Sequence, residues 1–163
     1  MTVIVCAACG FALTGPLTEL PALPARPGDR CLPKADGSHR ATATVPLGFY
    51  ALDPEPWGAP LVPCDEPRPV FGGGPCVGDP HDVEGFLVSA GTRNTVVLHP
   101  DDARGLQEDT DYDRHASGCC GLPGQAGMNR KCPCGTHVGT LANDCITAYE
   151  LHLEPARVRL TTD

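Results

Sequence analysis

The chain has 163 residues, the length of one domain, which can bury roughly two thirds of its unfolded surface. Its 20 acidic against 12 basic residues give a formal charge of -8, and no lysine-arginine cluster is interleaved with aromatics. Nucleic acid and anionic membranes are therefore not expected as partners. With 19 glycines, 18 prolines and only 5% aromatic residues, long helices are not expected, and the composition predicts a single β-rich domain over 1–163 with much irregular chain.

The start Met1-Thr2-Val3-Ile4-Val5 lacks a charged leader and no apolar run reaches the length of a membrane span, so a cytoplasmic location is expected. In that compartment the 10 cysteines are expected to be thiols and metal ligands rather than disulfides.

Residues 2–5, β-branched and apolar, predict a strand that delivers Cys6, and residues 11–14 predict the strand that leaves. Between them, Cys6-Ala7-Ala8-Cys9-Gly10 has the C-x-x-C-G spacing in which glycine relieves the turn and amides point back at sulfur. Prolines at 16, 21, 24, 27 and 33 forbid regular helix in the segment that follows. They open a proline-rich loop region over 15–80, with a short strand predicted at 40–52 and a long surface loop at 53–80 anchored by Trp57. Cys31, Cys64, Cys76 and His81 fall in this region; they could in principle form a second metal site, but their spacing is irregular.

Residues 84–99 read as a β-hairpin turning at 91–94. His99-Pro100-Asp101-Asp102 then predicts a helix start, with proline in the first position and acids in the first turn, running one or two turns to Leu106. The acidic run Glu108, Asp109, Asp111 and Asp113 reads as a solvated face. After His115 comes a glycine-flanked vicinal pair, Cys119-Cys120, of which an extended backbone would point only one thiol at any given metal.

The tight knuckle Cys132-Pro133-Cys134-Gly135 supplies two thiolates across a sharp turn, too close for an ordinary disulfide. Tetrahedral zinc takes four such ligands, and the other two are expected from the opposite end of the chain, giving one site of Cys6, Cys9, Cys132 and Cys134. Asn143-Asp144 is a turn signal. Residues 145–153 alternate with Cys145, Tyr149, Leu151 and Leu153 on one face, a predicted core strand, and residues 158–160 predict a short edge pairing.

The N-terminal Cys6-x-x-Cys9-Gly10 and the late Cys134-Gly135-Thr136-His137-Val138-Gly139 resemble the zinc-stabilised β-tent proteins, namely Yippee-like proteins, the thalidomide-binding domain of cereblon and methionine sulfoxide reductase B. The segment from Gly118-Cys119-Cys120-Gly121 to Asp144-Cys145 also resembles uncharacterised actinobacterial zinc-ribbon proteins. The C-x-C knuckle is similar to the structural zinc site of glutathione-dependent formaldehyde-activating enzymes, where the pairs come in the opposite order. The reductase resemblance implies a nucleophile near Cys145, but Thr140 stands where that family has a histidine, Thr147 replaces its asparagine, and its arginine is absent. Cereblon-like binding needs a tryptophan cage, and Trp57 is the only tryptophan.

The expectation is thus a mainly β, β-tent-like domain with two zinc knuckles and long Pro/Gly-rich loops. Its Zn2+ is structural, it has no catalytic residue, and it has a binding or scaffold role towards a protein or small-molecule partner. The alternative is a thiol-dependent oxidoreductase using Cys145 or Cys119 and Cys120.

Overall fold

The structure, a computed structural model, describes residues 1–66, 76–78, 82, 84–111 and 118–162. Its strands are β1 (Thr2–Cys6), β2 (Thr18–Glu19), β3 (Phe49–Asp53), β4 (Leu61–Cys64), β5 (Cys76–Gly78), β6 (Phe86–Ser89), β7 (Thr95–Leu98), β8 (Gln107–Glu108), β9 (Arg130–Lys131), β10 (His137–Ala142), β11 (Glu150–Leu153) and β12 (Val158–Thr162). The chain is mainly β, as its composition predicts. Among the described residues the single helical element is a 3-10 turn over Pro100–Asp102, and no helix is long and apolar enough to cross a membrane.

A seven-stranded sheet runs in the order β2-β3-β7-β11-β10-β9-β8, beside a two-stranded ribbon of β1 and β12 and a three-stranded sheet β4-β6-β5. β7 is antiparallel to both of its neighbours, and all four of its side chains are buried. Its sequence Thr95-Val96-Val97-Leu98 has no polar alternation, the pattern of a strand covered on both faces. Val96 and Leu98 join Tyr50, Leu151 and Leu153 in the main core, which reaches Ile4 and Val158, so the β1–β12 ribbon packs on this face. Val97 and Ala51 point the other way and form a smaller core with Val45.

Several expectations are corrected by how the chain makes its hydrogen bonds. The strand predicted over 40–52 is confined to β3, because the Phe49 amide returns to the Pro46 carbonyl at 3.2 Å and breaks the run; upstream, Ala43 makes only an isolated bridge to Tyr149. Residues 53–80 are not one surface loop, since β4 and β5 flank β6, although Trp57 does anchor the segment at 5% exposure. β6 and β7 do not form a hairpin. Both edges of β7 are taken by β3 and β11, and Asn94, at φ 59°, donates to the Asp53 carbonyl at 2.7 Å and steers β7 into the larger sheet.

The helix start at His99 is as predicted, with Pro100 in place and His99 Nδ1 accepting the Asp101 amide, but it ends at Asp102. The Arg104 amide bonds the Leu13 carbonyl at 2.7 Å and pulls the chain away. The strand predicted from Cys145 begins only at Glu150, because Thr147 donates its amide to the Asp144 carbonyl and curls residues 144–147 into a turn. β12 pairs with β1 over five residues, Thr2↔Thr162 to Cys6↔Val158, longer than the short edge pairing predicted.

Candidate metal centres

The first centre lies where the β1–β12 ribbon meets the turn between β9 and β10. Strand β1 ends on Cys6, which is fully buried; the Gly10 amide returns to its carbonyl at 2.9 Å and closes the turn that presents Cys9. In the second knuckle the Gly135 amide returns to the Cys132 carbonyl at 2.8 Å, and Cys132 donates to the Thr136 carbonyl at 2.9 Å. Gly135 sits at φ 88°, a conformation that a side chain would strain, which is why glycine follows this cysteine pair.

The four sulfurs all lie within 4.8 Å of one another. Cys6 Sγ is 3.9 Å from Cys134 Sγ, and Cys9 Sγ is 3.6 Å from Cys132 Sγ. A tetrahedral zinc with bonds of about 2.3 Å places its sulfurs about 3.8 Å apart, so these spacings fit such an ion. Cys6 and Cys132 form the buried side of the group, and Cys9 and Cys134 the exposed side. The Thr136 hydroxyl and amide support the Cys134 thiolate and bring its pKa down to about 6, whereas burial pushes the Cys132 thiol up to about 12.

A second group is formed by Cys119, Cys120 and Cys145, again with sulfurs within 4.8 Å of one another. Cys119 Sγ is 3.1 Å from Cys145 Sγ and 3.6 Å from Cys120 Sγ. Both vicinal thiols thus face one point, contrary to the expectation for an extended backbone. The physical reason is a turn: the Gly118 amide donates to the Gly121 carbonyl at 2.7 Å, and the carboxylate of Asp144 holds it. Asp144 Oδ2 accepts the amides of Cys120 and Gly121 at 2.8 and 2.9 Å, and Oδ1 accepts that of Ile146 at 3.1 Å. Burial alone would push the Asp144 carboxyl up, but these amides outweigh it and leave it below the ordinary value. A side chain at Gly118 would meet Asp144 Oδ2 at 2.1 Å, so the flanking glycine permits the close approach.

Asp144 was legible in the sequence only as half of a turn signal, and its role as organiser of the cysteine loop was missed. The glycines on both sides of the vicinal pair were the available sign of a bent backbone. Cys145 is buried as expected, yet its sulfur faces thiols and a carboxylate rather than apolar side chains. Hydrogen bonding with Cys119 and Cys120, then burial and the Asp144 charge, drive its thiol up, away from the reactive thiolate.

Among the described residues, no further sequence candidate joins either group. Cys31 donates its amide and points its thiol to the Cys145 carbonyl, 2.9 and 3.4 Å, beside the second group but outside it. Cys64 lies in β4, away from both groups, while the Cys76 side chain, His81, Asp113 and His115 lie outside the described residues. The His137 ring is engaged by Asp109 at 2.6 Å. Asp109 also holds Lys131 at 2.8 Å and is buried, so the acidic run is not simply a solvated face.

Trp57 does not belong to a cage. It stacks on His152, ring centroids 3.7 Å apart, with the Arg26 guanidinium 5.0 Å from its ring centre. Comparison of the chain with protein-family models, curated proteins and solved structures gives no match. The molecule is therefore defined by its own features: a mainly β chain whose described residues include two cysteine groups that could each hold a metal ion.

Proposed function

We propose that the chain is a zinc-binding protein in which Cys6, Cys9, Cys132 and Cys134 hold one structural Zn2+, and that its role is binding or scaffolding towards a protein or small-molecule partner. The observation that carries this reading is the pair of sulfur separations, 3.6 and 3.9 Å, around the distance that a four-thiolate zinc requires. Four protein ligands leave no position for a substrate, so a zinc here stabilises the fold and does not polarise a reactant. Paired knuckles on a small β framework are also what the resemblance to the β-tent proteins implies. The reductase-like alternative needs a reactive Cys145, and the buried, upward-shifted thiol favours the structural reading over it.

Metal analysis of the protein purified under reducing conditions, with ligand assignment by substitution, tests this. Zinc is expected to copurify, and Cys9→Ser or Cys134→Ser should prevent stable folding, because a structural zinc supplies on the order of 10 kcal/mol of apparent folding free energy. A well-folded Cys134→Ser variant with undiminished zinc would overturn the assignment.

A further inference from the structure

The two cysteine groups differ in ways that bear on what they can do. In the first, four sulfurs come together in two pairs from distant parts of the chain, Cys6 and Cys9 with Cys132 and Cys134. In the second, the described residues bring together three sulfurs, with Cys145 buried behind and Cys119 and Cys120 exposed in front. Those two cysteines line a cavity of about 480 Å³, whose wall also carries Glu108, Asp109 and Arg130. Three thiolates with a free fourth position are the arrangement of an open metal site, in which water or an incoming ligand completes the coordination.

We propose that Cys119, Cys120 and Cys145 form a second, exchangeable site for a thiophilic cation, with its remaining coordination position turned to the cavity and available to a small exogenous ligand. Soft thiolates select Zn2+, Cu(I) and similar ions over hard cations such as Mg2+ or Ca2+. The sulfur spacings of 3.1 and 3.6 Å are shorter than the roughly 3.8 Å that bonds of about 2.3 Å impose, so the exposed Cys119 and Cys120 side chains move apart by a few tenths of an ångström as the ion enters. Binding exchanges thiol protons for the ion, so each bound cation releases protons to solvent.

Asp144 is the positioning residue of this site. Its carboxylate is fully buried and fixes the Cys120 and Gly121 amides, while Oδ1 stands 3.9 Å from Cys119 Sγ and 3.6 Å from Cys145 Sγ. The sulfurs are thus brought together by a rigid turn before any ion arrives. A preformed site of this kind loses and regains its ion without refolding the chain, which distinguishes it from the four-cysteine clamp between β1 and the turn that follows β9.

The probe is 113Cd2+, whose NMR shift reports the number of sulfur ligands, added to the full chain under reductant and anaerobically. Two resonances are expected, one at a four-sulfur position and one at a three-sulfur position, and Cys120→Ser should abolish only the second. A parallel measurement on the unsubstituted chain avoids dependence on the folding of the variant. Limiting chelator should remove the three-sulfur cadmium first, and alkylation at that point should label Cys119, Cys120 and Cys145 while Cys6, Cys9, Cys132 and Cys134 stay protected. The proposal is overturned by absence of the three-sulfur resonance from the unsubstituted chain, by loss of both ions in one step with all seven thiols labelled together, or by a Cys119–Cys145 disulfide that persists in the reduced protein. The four-sulfur resonance reports separately on the structural site, so failure of one site is distinguishable from failure of the other.

Discussion

Glu150 occupies a fully buried position on β11, on the face opposite the main core, and its charge is tolerated because polar neighbours converge on it. Arg26 Nε is 2.9 Å from Oε1, His152 Nε2 is 2.7 Å from Oε2, and the Thr44 hydroxyl also donates. Arg26 continues to Asp53 at 2.9 Å and covers Trp57, while His152 meets Thr95 at 2.8 Å. Burial would push the Glu150 carboxyl up, but His152, Arg26 and Thr44 more than offset it and bring the pKa from 4.5 down to about 2. A carboxylate depressed in the folded state contributes stability that is present above its unfolded pKa and is lost as pH falls towards the folded one. Glu150→Gln should therefore destabilise the protein at pH 7 by about 3 kcal/mol in urea unfolding, and its deficit should shrink between about pH 4.5 and pH 2. Comparing variant and parent at each pH removes the separate effect of acid on the thiols; a deficit independent of pH would show that the carboxylate charge contributes nothing. A second residue-scale outcome concerns Gly118→Ala, whose added carbon would collide with Asp144 Oδ2. The cysteine turn should then shift, costing about 1–3 kcal/mol as overpacked sites do. In the parent chain, alkylation of Cys145 read by mass spectrometry should be slower than that of Cys31 or Cys64, and in Gly118→Ala the Cys145 rate should rise.

At the scale of elements, the seven-stranded sheet is organised by β7, whose neighbours β3 and β11 satisfy both of its edges. Amide exchange should therefore be slowest over residues 96–98 and distinctly faster over 86–89, since β6 belongs to a small sheet whose residues at 86–88 are only half buried. Equal protection across the two strands would argue against the separation of the sheets. This division explains what could be read from the sequence. The individual strands β1, β6, β7 and β12 were legible because β-branched and apolar runs report a strand's existence locally. Pairing was not, because nothing within 84–99 states that both edges of β7 are claimed by residues 50–53 and 151–153. The grouping of Cys6 and Cys9 with Cys132 and Cys134 was legible because cysteine spacing and glycine are local, and two complementary pairs leave few ways to form a four-sulfur group. The second cysteine group was not: it depends on the Asp144 carboxylate bending a distant loop, a contact between residues 24 positions apart. Likewise Glu150 and His152 alternate with Leu151 and Leu153 as an exposed face would, and only the covering segment that carries Arg26 and Trp57 makes that face an interior.

At the scale of the whole molecule, the first cysteine group joins residues 128 and 123 positions apart, so it connects the beginning of the chain to its late part. The same two regions meet again in the β1–β12 ribbon, whose Ile4 and Val158 enter the main core beneath β11 and β7. A zinc at the proposed structural site therefore restrains a long closed loop and the core packing together, and its removal should not be a local event. Trp57 provides a remote reporter. It is the only tryptophan in the chain, and it is buried on His152, on the face of the sheet opposite the main core. Stripping the metal with a strong chelator should shift the Trp57 emission to the red as the indole is wetted. That change should follow the same time course as the loss of β signal in far-ultraviolet circular dichroism, as one cooperative unit requires. Restoring Zn2+ under reductant should recover both signals. Loss of metal from Cys6, Cys9, Cys132 and Cys134 with the Trp57 emission unmoved would instead mean that the sheet holds without the clamp, and that the zinc serves something other than the fold.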